Sequence, residues 1–250
     1  MNRKQSLFML TLASLLVMGG VAHAQKKTVQ QILDTVDDNL LKVSDTTYNA
    51  EVSVIRDGKK IKTMTFEAVL KGLNMKRITF TGPGDVRGMA VLTTDDGLTY
   101  VYMPSYKRVR RVASHVQDQG FMGTDISAEE LGTASLSKGW DAKIIKDDDK
   151  VWVLRMTPQK GTETIYSYML VTVSKKYGGV ERVESYNSQG TLVKSQVRSD
   201  WQTFGVITIP VKMVYTDHKT GSSTELRFFE CKVNQGIPDS TFTTRSLMRE

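Results

Sequence analysis

The chain has 250 residues, 34 of them basic and 27 acidic, for a formal net charge of +7, and its single cysteine, Cys231, excludes an internal disulfide framework. Apolar residues make up 40% and charged residues 24%, a balance that supports a buried core and excludes an extended, disordered chain. The two histidines beyond residue 24, His115 and His218, have no cysteine or second histidine at metal-ligand spacing, so neither a zinc site nor any other metal is expected.

The chain opens with Arg3 and Lys4, continues in the uncharged run "SLFMLTLASLLVMGGV", and reaches small residues at Ala22-His23-Ala24. That order reads as a secretory signal peptide over residues 1–24, cleaved after Ala24. A membrane anchor is the weaker reading: Thr11, Ser14, Gly19 and Gly20 interrupt the run, which falls short of the roughly 20 apolar residues a bilayer span needs. No cysteine stands at the cleavage point, so lipid anchoring is not expected. Loss of Arg3 and Lys4 takes the 34 basic residues to 32 against 27 acidic, a net +5. Outside the cytoplasm that excess meets anionic membrane surfaces or acidic proteins rather than nucleic acid.

Residues 25–250 have a length that fits one large β domain as readily as two small ones, and no Pro-rich or Ser-rich linker divides them. Their first element is a helix. Thr28 caps it, and Val29, Ile32, Leu33, Val36, Leu40 and Leu41 recur at three- and four-residue intervals, with Asp34, Asp37 and Asp38 off the stripe. The period then changes to two. Strands are predicted over 48–56, 60–71, 75–81, 88–94, 98–103, 108–113, 142–146, 151–157, 164–173, 179–187, 191–201, 206–216 and 223–233. Turn pairs such as Asp57-Gly58, Asp96-Gly97 and Gly178-Gly179 separate them, and a capping-box pattern at Ser127 and Glu130 marks a second, short helix.

So many strands with so little helix must curl to bury one face. In "KTMTFEAVL" the residues Met64, Phe66, Ala68 and Leu70 point one way and Thr63, Thr65 and Glu67 the other. Ile78 and Phe80 share a side, as do Trp152, Leu154 and Met156, and Leu226 and Phe228. In "LTYVYM", Tyr100 and Tyr102 oppose Val101 and Met103, so neither face looks solvated.

Two exposed features accompany this pattern. Lys107, Arg108, Arg110 and Arg111 form a basic ribbon after Pro104, either a docking surface for anionic headgroups or an acidic partner, or charge that protects a sheet edge. Gly120 and Gly123 bracket Phe121 and Met122, either as a mobile flap or as a static turn that buries Phe121.

Catalysis is not expected. Ser114 and His115 are adjacent, but neighbours on a strand point to opposite faces, and no Gly-x-Ser-x-Gly elbow occurs. The run Asp147-Asp148-Asp149 reads as a solvated turn.

The order of helix, hairpin, "MKRITFTGPGD", a strand ending in Asp-Asp-Gly and "LTYVYMPSYKRVRRV" resembles the bacterial outer-membrane lipoprotein-sorting family, the LolA-like periplasmic carriers. "FMGTD", "SYNSQGTLVKSQVRSDW", "VITIPVKMVYTDHKTGSSTELRF" and "IPDSTFTTRSL" extend the resemblance over the whole of 25–250. One departure is "ISAEEL" from Ile126 to Leu131, where relatives tend to have an aromatic-rich "FSYEDL". The resemblance implies a mainly β fold: an unclosed, strongly curved antiparallel barrel, with helices covering its concave face and a hydrophobic cavity between them. It implies a periplasmic location, no cofactor, no catalysis, and lipid or lipoprotein acyl chains as cargo. An inner-membrane exporter would be the partner that supplies them and an outer-membrane acceptor a possible recipient.

On that fold, strand alternation brings Phe66, Leu70, Ile78, Phe80, Tyr100, Tyr102, Trp152, Leu154, Met156, Leu226 and Phe228 to the concave side as the candidate lipid-binding set, facing Val29, Ile32, Leu33 and Val36. The alternative is a non-catalytic envelope accessory protein that docks on a transporter and carries no lipid.

Overall fold

The computed structural model describes residues 26–112, 120–127, 130, 139–162 and 164–248. The signal peptide expected over 1–24, the Ser114-His115 pair and most of the helix expected from Ser127 lie outside them. The start of that second helix is described: Ser127 N–H donates to Glu130 Oε2 at 2.7 Å and Glu130 N–H to Ser127 Oγ at 3.1 Å, the reciprocal pair of a capping box.

The helix α1 spans Val29–Leu41. Thr28 caps it through the Gln31 N–H, and the Gln31 side chain accepts from the Thr28 N–H, so two end donors are satisfied before the first turn closes. Strands β1 (Asp45–Arg56), β2 (Lys59–Lys71), β3 (Met75–Gly82), β4 (Ala90–Thr93), β5 (Thr99–Met103) and β6 (Arg108–Arg111) follow as one meander. Strands β7 (Trp140–Asp147), β8 (Val151–Pro158), β9 (Tyr168–Ser174), β10 (Gly179–Tyr186), β11 (Leu192–Phe204), β12 (Ile207–Asp217) and β13 (Ser222–Val233) form a second. Asp57 and Gly58, both at positive φ (49° and 70°), make the tight β1–β2 turn whose twist matches a hairpin. All thirteen expected strands are present among the described residues; the largest shift of an end is in β9, expected from 164 and observed from Tyr168.

The strand order is β6-β5-β4-β3-β2-β1-β13-β12-β11-β10-β9-β8-β7, antiparallel throughout. First and last strands therefore pair at the centre, while β6 and β7 end the sheet without closing it. This is the unclosed, curved antiparallel barrel that the family resemblance implied, with α1 on its concave face.

Three apolar clusters hold the curvature. On the concave side, Ile32, Leu33 and Val36 of α1 pack on Trp152, Leu154, Met156, Val171, Val173 and Val180. In the other half, Phe66, Ile78, Phe80, Val91, Tyr215 and Leu226 are buried, with Phe121 and Met122 packed against them. A third cluster lies on the outer face, where Phe242 and Leu247 of the C-terminal 3-10 turns cover Ala90 and Leu92. Burying each such side chain is worth about 1.5–3 kcal/mol, so the C-terminal turns are a structural part of the sheet.

Two acids pin the segments that cross it. Asp45 accepts the backbone N–H groups of Gln235, Gly236 and Ile237 at 2.7, 3.0 and 3.2 Å, tying the start of β1 to the chain that leaves β13. Burial pushes its carboxyl up, but those donors and Ser44 outweigh burial and hold it below its ordinary value. Asp125 accepts from Thr224 Oγ1 at 2.7 Å and Ser222 Oγ, and pairs with Arg56 Nη1 at 3.0 Å. Arg56 Nη2 also donates to the Gly123 carbonyl at 3.1 Å.

These contacts fix the 120–127 loop against the concave side, with Phe121 stacked on Phe80 at 6.0 Å between ring centroids. Gly120 is needed for close approach: a β-carbon there would meet the Thr124 carbonyl oxygen at 2.1 Å. Asp125→Ala is expected to cost about 2–4 kcal/mol, because it removes the carboxylate that pairs with Arg56 and accepts from two hydroxyls. Denaturant midpoints of parent and variant measure this, and a change below about 0.5 kcal/mol would show that the loop is not anchored there.

Candidate ligand-binding cavity

Between α1 and the concave face lies a cavity of about 330 Å³. Protein interiors pack as densely as organic crystals, and a void of about 10–15 Å³ already admits a water, so this is no packing defect. Val36 and Leu40 of α1 form its roof, and Tyr48, Phe66, Leu70 and Ile78 line one wall. Met213, Tyr215, Leu226 and Phe228 form the floor, and Met169, Val171, Val180 and Val183 the far wall. Tyr48 and Phe228 meet at 4.5 Å between ring centroids, and Phe66 meets Phe80 edge-on at 5.7 Å, continuing into the Phe121 stack. The residues just named make the walls mostly apolar and largely built on paired strands, with polar side chains among them.

Of the eleven candidate lipid-binding residues, Phe66, Leu70, Ile78, Leu226 and Phe228 line this cavity. Phe80 stands behind Phe66 in the same cluster. Trp152, Leu154 and Met156 lie beneath α1, where the helix stripe already covers them. Tyr100 and Tyr102 are on the outer face, packed against the cluster that Phe242 and Leu247 close. The alternation of β5 is real, but both of its faces are covered, by Val101 in the concave cluster and by the C-terminal turns outside.

The polar members of the lining were not singled out from sequence. Lys76 shares the inward face of β3 with Ile78 and Phe80, a cation in phase with two buried apolar residues. Arg198 enters from β11, opposite Met213 in register. Its Nε and Nη2 donate to Gln196 Oε1 at 3.2 and 2.9 Å, and Gln196 Nε2 in turn donates to the Tyr215 hydroxyl at 2.6 Å. Burial, with a further push from Arg198, brings the Lys76 ammonium down from 10.5 to about 8. Burial also pulls the Arg198 guanidinium below its ordinary value and raises the Tyr48 and Tyr215 phenols above theirs.

The cavity's two acids have their own partners. Asp45 holds the 235–237 backbone, and Glu130 pairs with Lys194 at 2.5 Å while capping Ser127.

Elsewhere, Ser195 Oγ lies 2.9 Å from His218 Nε2, but Ser195 points away from the cavity that its neighbour Gln196 lines. Among the described residues no third side chain orients that ring, and no group of three or more His, Cys, Asp or Glu is placed to hold a metal. Asp148 accepts the Lys150 and Val151 N–H groups at 2.9 and 2.8 Å, closing the turn between β7 and β8. The basic ribbon occupies the edge: Arg108, Arg110 and Arg111 belong to β6, the last strand of the sheet, and Lys107 sits just before it at φ 48°. All four are exposed, while Val109 between them packs inward on the outer-face cluster.

The unclosed antiparallel sheet with a helix on its concave face is a fold that this chain shares with proteins of known structure. A DUF1329 family protein from Desulfovibrio piger superposes with a TM-score of 0.80 at 24% identity, over 89% of this chain and 100% of its own. A domain described as an outer membrane lipoprotein-sorting protein, from Vibrio parahaemolyticus, gives 0.76 at 22% identity over 87% and 98%. A LolA superfamily protein from Nitrosomonas europaea gives 0.73 at 20% identity over 88% and 100%. No curated protein matches the sequence significantly. A family model described only as "uncharacterized protein" matches residues 72–249, and the chain belongs to that family.

The charge placed in the cavity makes stability depend on pH. An unfolded chain keeps the Lys76 proton up to 10.5, whereas the folded chain releases it at about 8, so between these values the unfolded state holds more protons and stability rises with pH. The raised phenols of Tyr48 and Tyr215 act oppositely above their ordinary value, so the comparison must be with a variant that keeps them. Lipid-free Lys76→Met is expected to be more stable than the parent at pH 7, by on the order of 1–3 kcal/mol. The gap should close as pH rises through the 8 to 10.5 window, and a gap constant across it would remove the buried-cation account.

Proposed function

We propose that the protein is a periplasmic carrier that takes the acyl chains of a lipid or lipoprotein into the cavity and moves them towards the outer membrane. The observation that carries this reading is the void of about 330 Å³ between helix and sheet, walled by Phe66, Leu70, Ile78, Met213, Leu226 and Phe228. Burial of one chain of about 14 carbons is worth on the order of 10 kcal/mol at about 0.8 kcal/mol per methylene, before the cost of ordering it. Few directional contacts would oppose its leaving, and Met213 and Met169 supply unbranched, polarizable walls that suit flexible chains. The likeness to lipoprotein-sorting and LolA superfamily structures supports the same reading.

In this account residues 1–24 are a signal peptide cleaved after Ala24, and residues 25–250 form the carrier domain. An inner-membrane lipid or lipoprotein exporter loads it, an outer-membrane acceptor receives the cargo, and the protein performs no catalysis. The exposed ribbon Lys107, Arg108, Arg110 and Arg111 docks it on anionic headgroups or an acidic transporter surface, at roughly 1 kcal/mol per cation near a charged membrane.

Uptake of a fluorescent fatty acid tests the cavity. Leu70→Asp and Phe228→Asp place a carboxylate on half-buried lining positions and are expected to lower uptake at least about tenfold while the sheet keeps its circular dichroism. A parent protein that takes up no amphiphile would leave the docking accessory as the surviving reading. The ribbon has its own test: replacing its four cations with glutamine should weaken binding to anionic vesicles, most at low salt. Equal binding at every ionic strength would make the ribbon edge protection alone.

A further inference from the structure

The cavity is bounded as well as apolar, and its bounds decide how much hydrocarbon it can take. On the side of β8–β10 it stops where Ile32 and Leu33 of α1 pack with Trp152, Leu154 and Met156, all of them buried. On the side of β2–β4 it stops at Phe66, behind which Phe80 and then Phe121 follow at 5.7 and 6.0 Å between ring centroids. Both flanks of the concave face are thus filled by the chain's own side chains. The middle is left, a space of about 330 Å³.

An apolar hole of about 150 Å³ holds benzene, six carbons, which is about 25 Å³ of hole per carbon. On that scale 330 Å³ takes a tail of about 13 carbons. Two such tails would need about twice the space, and the three of a triacylated protein N-terminus about three times. The walls resist giving it. Val183 stands opposite Gln196, Gln196 opposite Tyr215, Phe228 opposite Ala50 and Ala50 opposite Phe66, so far wall, floor and near wall belong to one hydrogen-bonded sheet. Packed protein has low compressibility. Room for a second tail would come from lifting α1 off Trp152 or Phe121 off Phe80, and either exposes apolar surface that the new tail would first have to replace.

From these bounds we infer that the cargo is a lipid with one acyl chain, a fatty acid or a lysolipid with a tail near 13 carbons. The inference rests on the carrier reading and narrows it: a lipid with two tails, or a triacylated lipoprotein, would leave the others in water and lose their burial. The lining then acts as a ruler. Val183 on the far wall and Leu70 on the opposite one are half-buried and border the space directly, so their bulk sets where a growing tail meets protein.

Displacement of a fluorescent fatty acid from the full mature protein by saturated fatty acids of about 8 to 18 carbons reads that ruler. Affinity is expected to rise about fourfold with each methylene and to stop rising near 13 carbons. Val183→Phe, which thickens the wall, should bring the break to a tail about two to four carbons shorter, and Leu70→Ala should move it a similar distance longer. Damage to the fold would lower every affinity alike and cannot produce opposite shifts. A lysophosphatidylglycerol of matched tail is expected to displace the probe as well, and its affinity relative to the fatty acid separates the two sources. Vesicles of two-tailed phosphatidylglycerol should yield no lipid to the protein.

The two readings fail differently. If no fatty acid, lysolipid or phosphatidylglycerol binds, the carrier reading falls and this inference with it. Phosphatidylglycerol leaving the vesicles at one molecule per protein, affinity still climbing at the longest tails, or a break that neither substitution moves overturns the single-tail site and leaves the carrier standing.

Discussion

Everything in this molecule hangs on the pairing of β1 with β13. The two strands are about 170 residues apart in the chain, and their ladder, from Thr46 opposite Val233 to Ile55 opposite Ser223, joins two meanders into one sheet. Such a long-range contact is entropically costly to close and is held only if local contacts reward it. Asp45 provides one at the end of the ladder by gathering three N–H groups of the 235–237 segment. Asp125 provides another at the opposite end, where it draws Arg56, Ser222 and Thr224 together. Because the seam is central, the free edges β6 and β7 are far apart in strand order, and the sheet curves without becoming a closed barrel.

An unclosed curved sheet must cover its concave apolar face, and here two elements share the task unequally. The α1 stripe seals the β8–β10 half, and the Phe121 loop covers part of the β2–β4 half. What lies between is the cavity. Its walls come from strands locked in register, so they hold open a space that a single helix cannot fill.

Much of this was legible in the sequence. Period-two alternation and Gly-containing turns marked all thirteen strands, and Thr28 and the Ile32-Leu33-Val36 stripe marked α1. Alternation also separated the two faces of each strand, which is why Phe66, Leu70, Ile78, Leu226 and Phe228 lie together at the cavity. It cannot say what covers a face. Trp152, Leu154 and Met156 face inward yet sit under α1, and Tyr100 and Tyr102 face outward under Phe242 and Leu247, a covering that only the chain's return after β13 creates. Lys76 had a visible signal, a charge in phase with Ile78 and Phe80 in "MKRITF". Arg198 had less: in "VKSQVRSDW" the inward face of β11 carries Lys194, Gln196 and Arg198, which by itself reads as a solvated face.

The central claim is that the space between helix and sheet holds lipid. Native mass spectrometry of the protein isolated from cells without detergent addresses it most directly, because a chain buried there should survive purification. The account predicts a population heavier than the polypeptide by one lipid mass, releasing fatty acyl fragments on dissociation. A spectrum containing only the bare polypeptide mass would contradict it.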